Sequence, residues 1–167
     1  MVTVFMGSDS DLPKMVPALK ILKQFGIPYN VVVASAHRTP QLVETEVNEA
    51  IAKGTKVFIA GAGMSAHLAG VIASFTTLPV IAVPISATLA GVDALLSMVN
   101  MPPGIPVACV GIDGAKNAGI LAAQMISIAD GRIGTTLIDF RNTMVDQVIS
   151  KGNKVQEELK EWESDWK

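Results

Sequence analysis

Reactive side chains are scarce in this chain: its 167 residues include one cysteine, two histidines, one tyrosine and two tryptophans. The lone Cys109 excludes an internal disulfide, fits a reducing cytoplasm, and reads as a core thiol in a strand rather than a nucleophile. Charge is scarce too, at 17% of residues against 50% hydrophobic. With a net charge of −2 and no Lys/Arg-rich cluster, there is no basic field for nucleic acid or an anionic membrane. So apolar a composition points to surface buried between subunits, that is, to a homo-oligomer. The start, MVTVFMGSDS, has no cationic segment leading into a long apolar core and is not read as a signal peptide. No Asp, Glu, Lys or Arg lies between Lys56 and Asp93, a span long enough to cross a bilayer. Gly61, Gly63, Gly70, Pro79 and Pro84 interrupt it, so it reads instead as strands buried on both faces of a parallel sheet.

What the chain does have is alternation. Val2 to Met6 reads as a strand, followed by GSDSD and a helix with Met15, Ala18, Leu19, Leu22 and Phe25 on one face. Asp11 is the expected cap of that helix, Pro13 suits its first turn and Gly26 ends it, with Pro17 as the discordant residue. Val31 to Ala34 is a second strand, SAHRTP a turn, and Thr39 the cap of a helix running from Pro40 to Lys53. Lys56 to Ala60 is a third strand, and GAGMSAHLAG turns into a helix ending near Thr77. Leu78 to Pro84, a helix from Gly91 to Met101, and a strand from Val107 to Val110 complete an α/β unit in which a parallel sheet is covered on both faces. The helix from Ala115 to Ala129 is apolar almost all round and needs more cover than one sheet face gives. From Ile133 onward Leu137, Phe140, Met144 and Val148 form a stripe, Gly152 is an expected break, and Val155, Leu159, Trp162 and Trp166 follow. Residues 131–167 are thus a helical extension of the 1–130 domain, packing on its own or a neighbouring subunit.

In an open parallel sheet, ligands bind beyond the carboxyl ends of the strands. Three such ends lead into helix starts, GSDSD, SAHRTP and GAGMSAHLAG, and helix starts favour anions. Ser8, Ser10 and Ser35 offer hydroxyls and Arg38 a bidentate fork, which suits a phosphate. His37 is the natural proton carrier near neutral pH. Each has a plainer reading: Asp11 as a helix cap, Arg38 paired with Glu44, His37 as a structural histidine. Convergence on neighbouring strand ends favours the functional ones. Gly61, Gly63 and Ala66 match a dinucleotide-binding fingerprint, but no acidic residue follows before Asp93 to hold a ribose. The turns holding His37 and His67 carry no carboxylate, which argues against a metal site. An electron-carrying flavodoxin is disfavoured because both tryptophans lie in the tail.

GSDSD, SAHRTP, AGAGMSAHLAG, PVIAVP, GVDALLSMVNMPPGIPV and AKNAGILAAQ, in this order and over almost the whole chain to about Ile126, resemble the PurE family of purine biosynthesis. The resemblance implies a flavodoxin-like three-layer αβα sandwich, a homo-octamer with active sites at subunit contacts, and no metal or organic cofactor. It implies a 5-(carboxyamino)imidazole ribonucleotide mutase, which moves a carboxylate from the exocyclic nitrogen to ring carbon 4. On this pattern Ser8, Asp11, Ser35 and Arg38 match positions holding the ribose phosphate, and His37 matches the general acid/base. Ala62, Gly63, His67 and Leu68 match the loop lining the imidazole and carboxylate. His37 would protonate the nitrogen as carbon dioxide leaves and remove the ring proton after recapture at carbon. A sister class carboxylates aminoimidazole ribonucleotide directly; Arg38 and the histidine of the AHL segment resemble the mutase class. Met64 and Ser65 stand where mutases usually carry Gly-Ala, and Ala69 where they carry Pro, which leaves a non-catalytic phosphoribosyl-ligand binder as a third reading.

Overall fold

A computed structural model describes residues 1–166. Five parallel strands form one sheet: β1 (Val2–Met6), β2 (Tyr29–Val33), β3 (Val57–Gly63), β4 (Val80–Ile85) and β5 (Ala108–Cys109). Their order is β2-β1-β3-β4-β5. The order reverses beside β1, so the carboxyl ends of β1 and β3 flank the crevice where such sheets take ligands.

Side chains alternate across the sheet, and each face has its own core. On one face Val2, Val4 and Met6 of β1, Ile59 of β3 and Ile81 and Val83 of β4 meet α1 (Leu12–Gln24) and α5 (Ala115–Ser127). On the other, Phe5, Phe58, Ala60 and Ala82 meet α2 (Pro40–Ala52), α3 (Leu68–Ser74) and α4 (Val92–Val99). The result is the three-layer αβα sandwich with a flavodoxin-like sheet. A buried hydroxyl pair, Thr3 Oγ1 to Thr55 Oγ1 at 2.7 Å, satisfies the polar atoms between β1 and the entry to β3.

Three expectations change. β3 continues to Gly63 and pairs with β4 as far as Ile85, so the first two glycines of the fingerprint belong to a strand. A Cβ on Gly61 would overlap the Met15 thioether of α1, and one on Gly63 would come within 2.8 Å of the Ala87 Cβ. These glycines serve close packing, not a pyrophosphate. Asp11 stands at the N-cap position of α1 but gives that helix no side-chain hydrogen bond: it closes a short 3-10 turn, Asp9–Asp11, its carboxylate accepting the Ser8 backbone N–H while the Ser8 hydroxyl accepts from Ser10 N. Pro17 lies inside α1, and its missing N–H leaves only the carbonyl of the exposed Pro13 without a helical partner.

The third concerns the tail. Helix α6 (Gly131–Asp165) runs 35 residues without a break at Gly152, because one interior glycine costs only about 1 kcal/mol. Asp130 caps it through Arg132 N. Its first turns dock on the domain: Ile133 and Leu137 are buried, and Phe140 meets Phe25 edge-on at 5.4 Å. Part of the cover required by α5 therefore comes from the same chain, while Ala118, Gly119 and Ala122 let α5 approach α1 closely. Beyond Phe140, residues 141–166 are exposed apart from the half-buried Leu159, and so are Met144, Val148, Trp162 and Trp166 in their stripe. The edge strand β2 similarly leaves Tyr29, Val31 and Val33 uncovered.

Candidate active site

The sheet delivers its polar residues to one place. β1 ends into Gly7–Asp11, β2 into Ser35–Arg38, and β3 into Met64–His67. These three segments line a cavity of about 770 Å³. Ser8, Ser10, Asp11, Ser35, His37, Arg38, Ala62, Gly63, His67 and Leu68 all face it, together with Ala87 from the segment after β4. Ala87 is the lining residue that sequence reasoning missed; an alanine in a connecting loop carries no chemical signal.

Local hydrogen bonds shape each turn. Thr39 Oγ1 accepts from Ser35 N at 2.9 Å and donates to Ser35 O at 3.1 Å, curling SAHRT upon itself. It is thereby spent on the turn and does not cap α2 through its side chain. Ser35 Oγ accepts from Arg38 N at 3.2 Å, and Arg38 Nη2 donates to the Gly7 carbonyl at 3.3 Å. Arg38 thus ties the β2 turn to the β1 turn, and it has no Glu44 partner: the ion pairs among the described residues are Lys14–Asp113, Lys53–Glu49 and Arg132–Asp130. Because Ser35 Oγ accepts, its own hydroxyl hydrogen is open to a ligand. Ser10 Oγ donates to Ser8 Oγ at 2.9 Å, and Ser8 Oγ to Asp9 Oδ1 at 3.1 Å.

The two histidines meet. His37 Nε2 lies 2.8 Å from His67 Nδ1, the rings crossing at 83° with centroids 4.9 Å apart. In this contact one of the two facing nitrogens donates and the other accepts, the roles being set by the tautomers. In the same cavity, burial foremost pushes the Asp11 carboxyl above its ordinary range, with Asp9 adding to it, against the backbone N–H groups of Ser8 and Gly7 that favour the anion. Met64 stands in the left-handed region at φ 60° and is exposed, where an L-residue costs roughly 1–2 kcal/mol relative to glycine. Among the described residues, no group of three His, Cys, Asp or Glu is placed to hold a metal ion.

A cationic fork, hydroxyls and an imidazole pair lining one cavity can hold an anion while moving a proton. Known proteins resemble this chain over most of its length. The chain is 53% identical over 160 residues to the N5-carboxyaminoimidazole ribonucleotide mutase of Methanocaldococcus jannaschii, covering 96% of this chain and all of that one. It is 46% identical over 157 residues to the mutase of the same name from Thermotoga maritima, covering 93% of this chain and 92% of that one. It is 47% identical to a phosphoribosylaminoimidazole carboxylase of Candida glabrata, but spans only 28% of that longer protein. The crystal structure of Treponema denticola PurE superposes with a TM-score of 0.84 at 34% identity, covering 92% of this chain and 96% of that one. A family model described as AIR carboxylase matches residues 1–147, which include every strand and all of the cavity's lining; the chain belongs to this family.

Proposed function

We propose that this chain is an N5-carboxyaminoimidazole ribonucleotide mutase, an isomerase of purine biosynthesis that moves a carboxylate from the exocyclic nitrogen to carbon 4 of the imidazole. Full-length similarity to the mutases favours this over the direct carboxylase, which the chain matches over only part of that protein's length. The single observation that carries the reading is the His37–His67 contact in the cavity that Arg38 and the serines also line.

The division of labour follows from the donors. Arg38 and the hydroxyls of Ser35, Ser8 and Ser10 hold the phosphate; the last two exchange their mutual hydrogen bonds for its oxygens. Asp11 is an acceptor when ionised and suits the sugar hydroxyls rather than the anion. The imidazole ring then lies against Ala62, Gly63 and Leu68, where small side chains leave room and exclude water. His37 donates a proton to the exocyclic nitrogen as the N–C bond breaks and carbon dioxide leaves. Carbon 4 attacks the retained gas, and neutral His37 takes the proton from that carbon, so the proton lent in the first step is returned in the second. His67 orients His37 through their contact. The reaction calls for no cofactor.

The exposed apolar stripe of α6, the bare edge of β2 and the low charge support a homo-oligomer, proposed as the octamer of the family, with the tail of α6 on a neighbouring subunit. A cytoplasmic location is in keeping with a biosynthetic enzyme. The substrate is a small ribonucleotide; nucleic acid and membrane are not proposed as partners. Purified protein should interconvert the two carboxylated ribonucleotides without ATP, metal or added bicarbonate. A strict requirement for bicarbonate selects the carboxylase, and tight ribonucleotide binding with no turnover selects the binding protein.

A further inference from the structure

A second polar cluster sits at the same end of the sheet, outside the residues assigned to substrate. Lys14, in the first turn of α1, donates to Asp113 Oδ2 at 2.6 Å and lies 3.3 Å from Ser86 Oγ. Ser86, just past the end of β4, gives Asp113 two more hydrogen bonds, from its backbone N to Oδ1 at 3.1 Å and from its hydroxyl to Oδ2 at 2.6 Å. Asp113 is held for this in the left-handed region at φ 55°, its own N–H bonded to the Pro84 carbonyl at 2.8 Å. One carboxylate therefore joins α1, the end of β4 and the entry to α5.

What hangs from this junction is a wall of the cavity. Ala87 follows Ser86, lines the cavity, and packs on Gly63 so closely that a Cβ there would lie 2.8 Å from its own. The segment continues through Leu89 and Ala90, both with positive φ, and returns at Gly91, where a Cβ would meet Ile112 at 2.6 Å and the Ser86 backbone at 3.2 Å. Ala87 and its neighbours to Ala90 are exposed, so burial does not hold them. Lys14 lies three residues after Asp11, which lines the cavity, and Ser86 directly precedes Ala87, which lines it too. The cluster thus links the segment after β1 to the Ala87 wall.

We propose that Asp113, with Lys14 and Ser86, is a positioning residue for the reaction: it fixes the Ala87 wall relative to the Ser8–Asp11 turn and so keeps the cavity closed around carbon dioxide between its release and recapture. The inference rests on the mutase reading above. Burial works against the Asp113 anion, yet the hydrogen bonds from Lys14 and Ser86 and the charge of Lys14 hold its carboxyl below the usual range, so the clamp is charged at neutral pH.

The test compares Asp113→Asn, Lys14→Met and Lys14→Arg with the wild-type protein. Asparagine tolerates a left-handed backbone, so the first variant keeps the turn and loses the charge. For Asp113→Asn, kcat should fall roughly ten-fold or more, the scale of a small misplacement of reacting groups. KM should stay within about two-fold, since the phosphate contacts are intact. The fraction of substrate lost as free aminoimidazole ribonucleotide should rise several-fold, because carbon dioxide escapes. Lys14→Met should move the same way by less, and Lys14→Arg should restore kcat and retention together. If both charge-removing variants lose thermal stability but keep wild-type kcat and retention, the cluster is framework only and the proposal is wrong. Should the wild-type protein fail to interconvert the ribonucleotides, the function assigned above falls. Amide exchange at residues 87–91 then decides the clamp separately: faster exchange in Asp113→Asn supports it, and unchanged exchange removes it.

Discussion

The two polar clusters at the carboxyl edge of the sheet differ in what their donors are doing. Around the cavity, Ser35 keeps a free hydroxyl hydrogen, Arg38 makes one long bond to a carbonyl, and two imidazoles meet through a single hydrogen bond. Around Asp113 every strong donor is matched, with two bonds at 2.6 Å. Unspent hydrogen-bonding capacity in exposed side chains marks the place where a guest belongs; a closed network marks a joint in the frame. The same contrast appears in the carboxyls, Asp11 being pushed up by burial and Asp113 drawn down by its partners.

If this contrast is right, changes in the open cluster should cost activity and spare the fold, whereas changes in the closed one should cost stability as well as the retention of carbon dioxide. The largest effect is expected for His37→Asn: turnover falls by about a thousand-fold, within the range of lost general acid/base catalysis, while isothermal titration still detects ribonucleotide binding. Near-normal turnover in this variant would remove His37 from its role. Arg38→Leu comes next, with KM raised about ten- to a hundred-fold through the lost charge-assisted bonds to phosphate and a melting temperature close to wild type. Asp113→Ala adds a cost to the fold itself. It places a Cβ-bearing residue without a polar side chain in the left-handed region and strands Ser86, costing about 1–3 kcal/mol in urea unfolding.

The smallest effect is on acid stability and has opposite signs at the two carboxylates. A depressed folded-state value makes the Asp113 contribution complete above the ordinary carboxyl range, about pH 4, and lost as pH falls below it. A raised value makes Asp11 do the opposite, its contribution being complete in acid and lost as pH rises above the ordinary carboxyl range through the raised folded-state value. Melting curves of Asp11→Asn and Asp113→Asn from neutral to acid pH should therefore diverge from wild type in opposite directions.

The alternation of strands and helices was legible because it rests on apolar periodicity, and with it the convergence of the GSDSD, SAHRTP and GAGMSAHLAG turns, which follows from a parallel sheet having one carboxyl edge. Ends of elements were less so. Gly61 and Gly63 look like turn residues, yet they prolong β3 because what they accommodate, Met15 and Ala87, lies far off in sequence. Gly152 looks like a break because an exposed helix gives no local sign of continuing. The Asp113 cluster could not be read at all: its partners are 27 and 99 residues away, and its backbone is one that aspartate adopts infrequently.

Gly61 has a further consequence for how this chain can change. The Met15 thioether occupies the volume where a side chain at position 61 would begin, so the two positions are coupled in stability. Alanine at 61 requires the Met15 side chain to shift or to be shortened, and a shortened residue 15 by itself leaves a void beneath α1. The two substitutions together should therefore cost less than the sum of each alone.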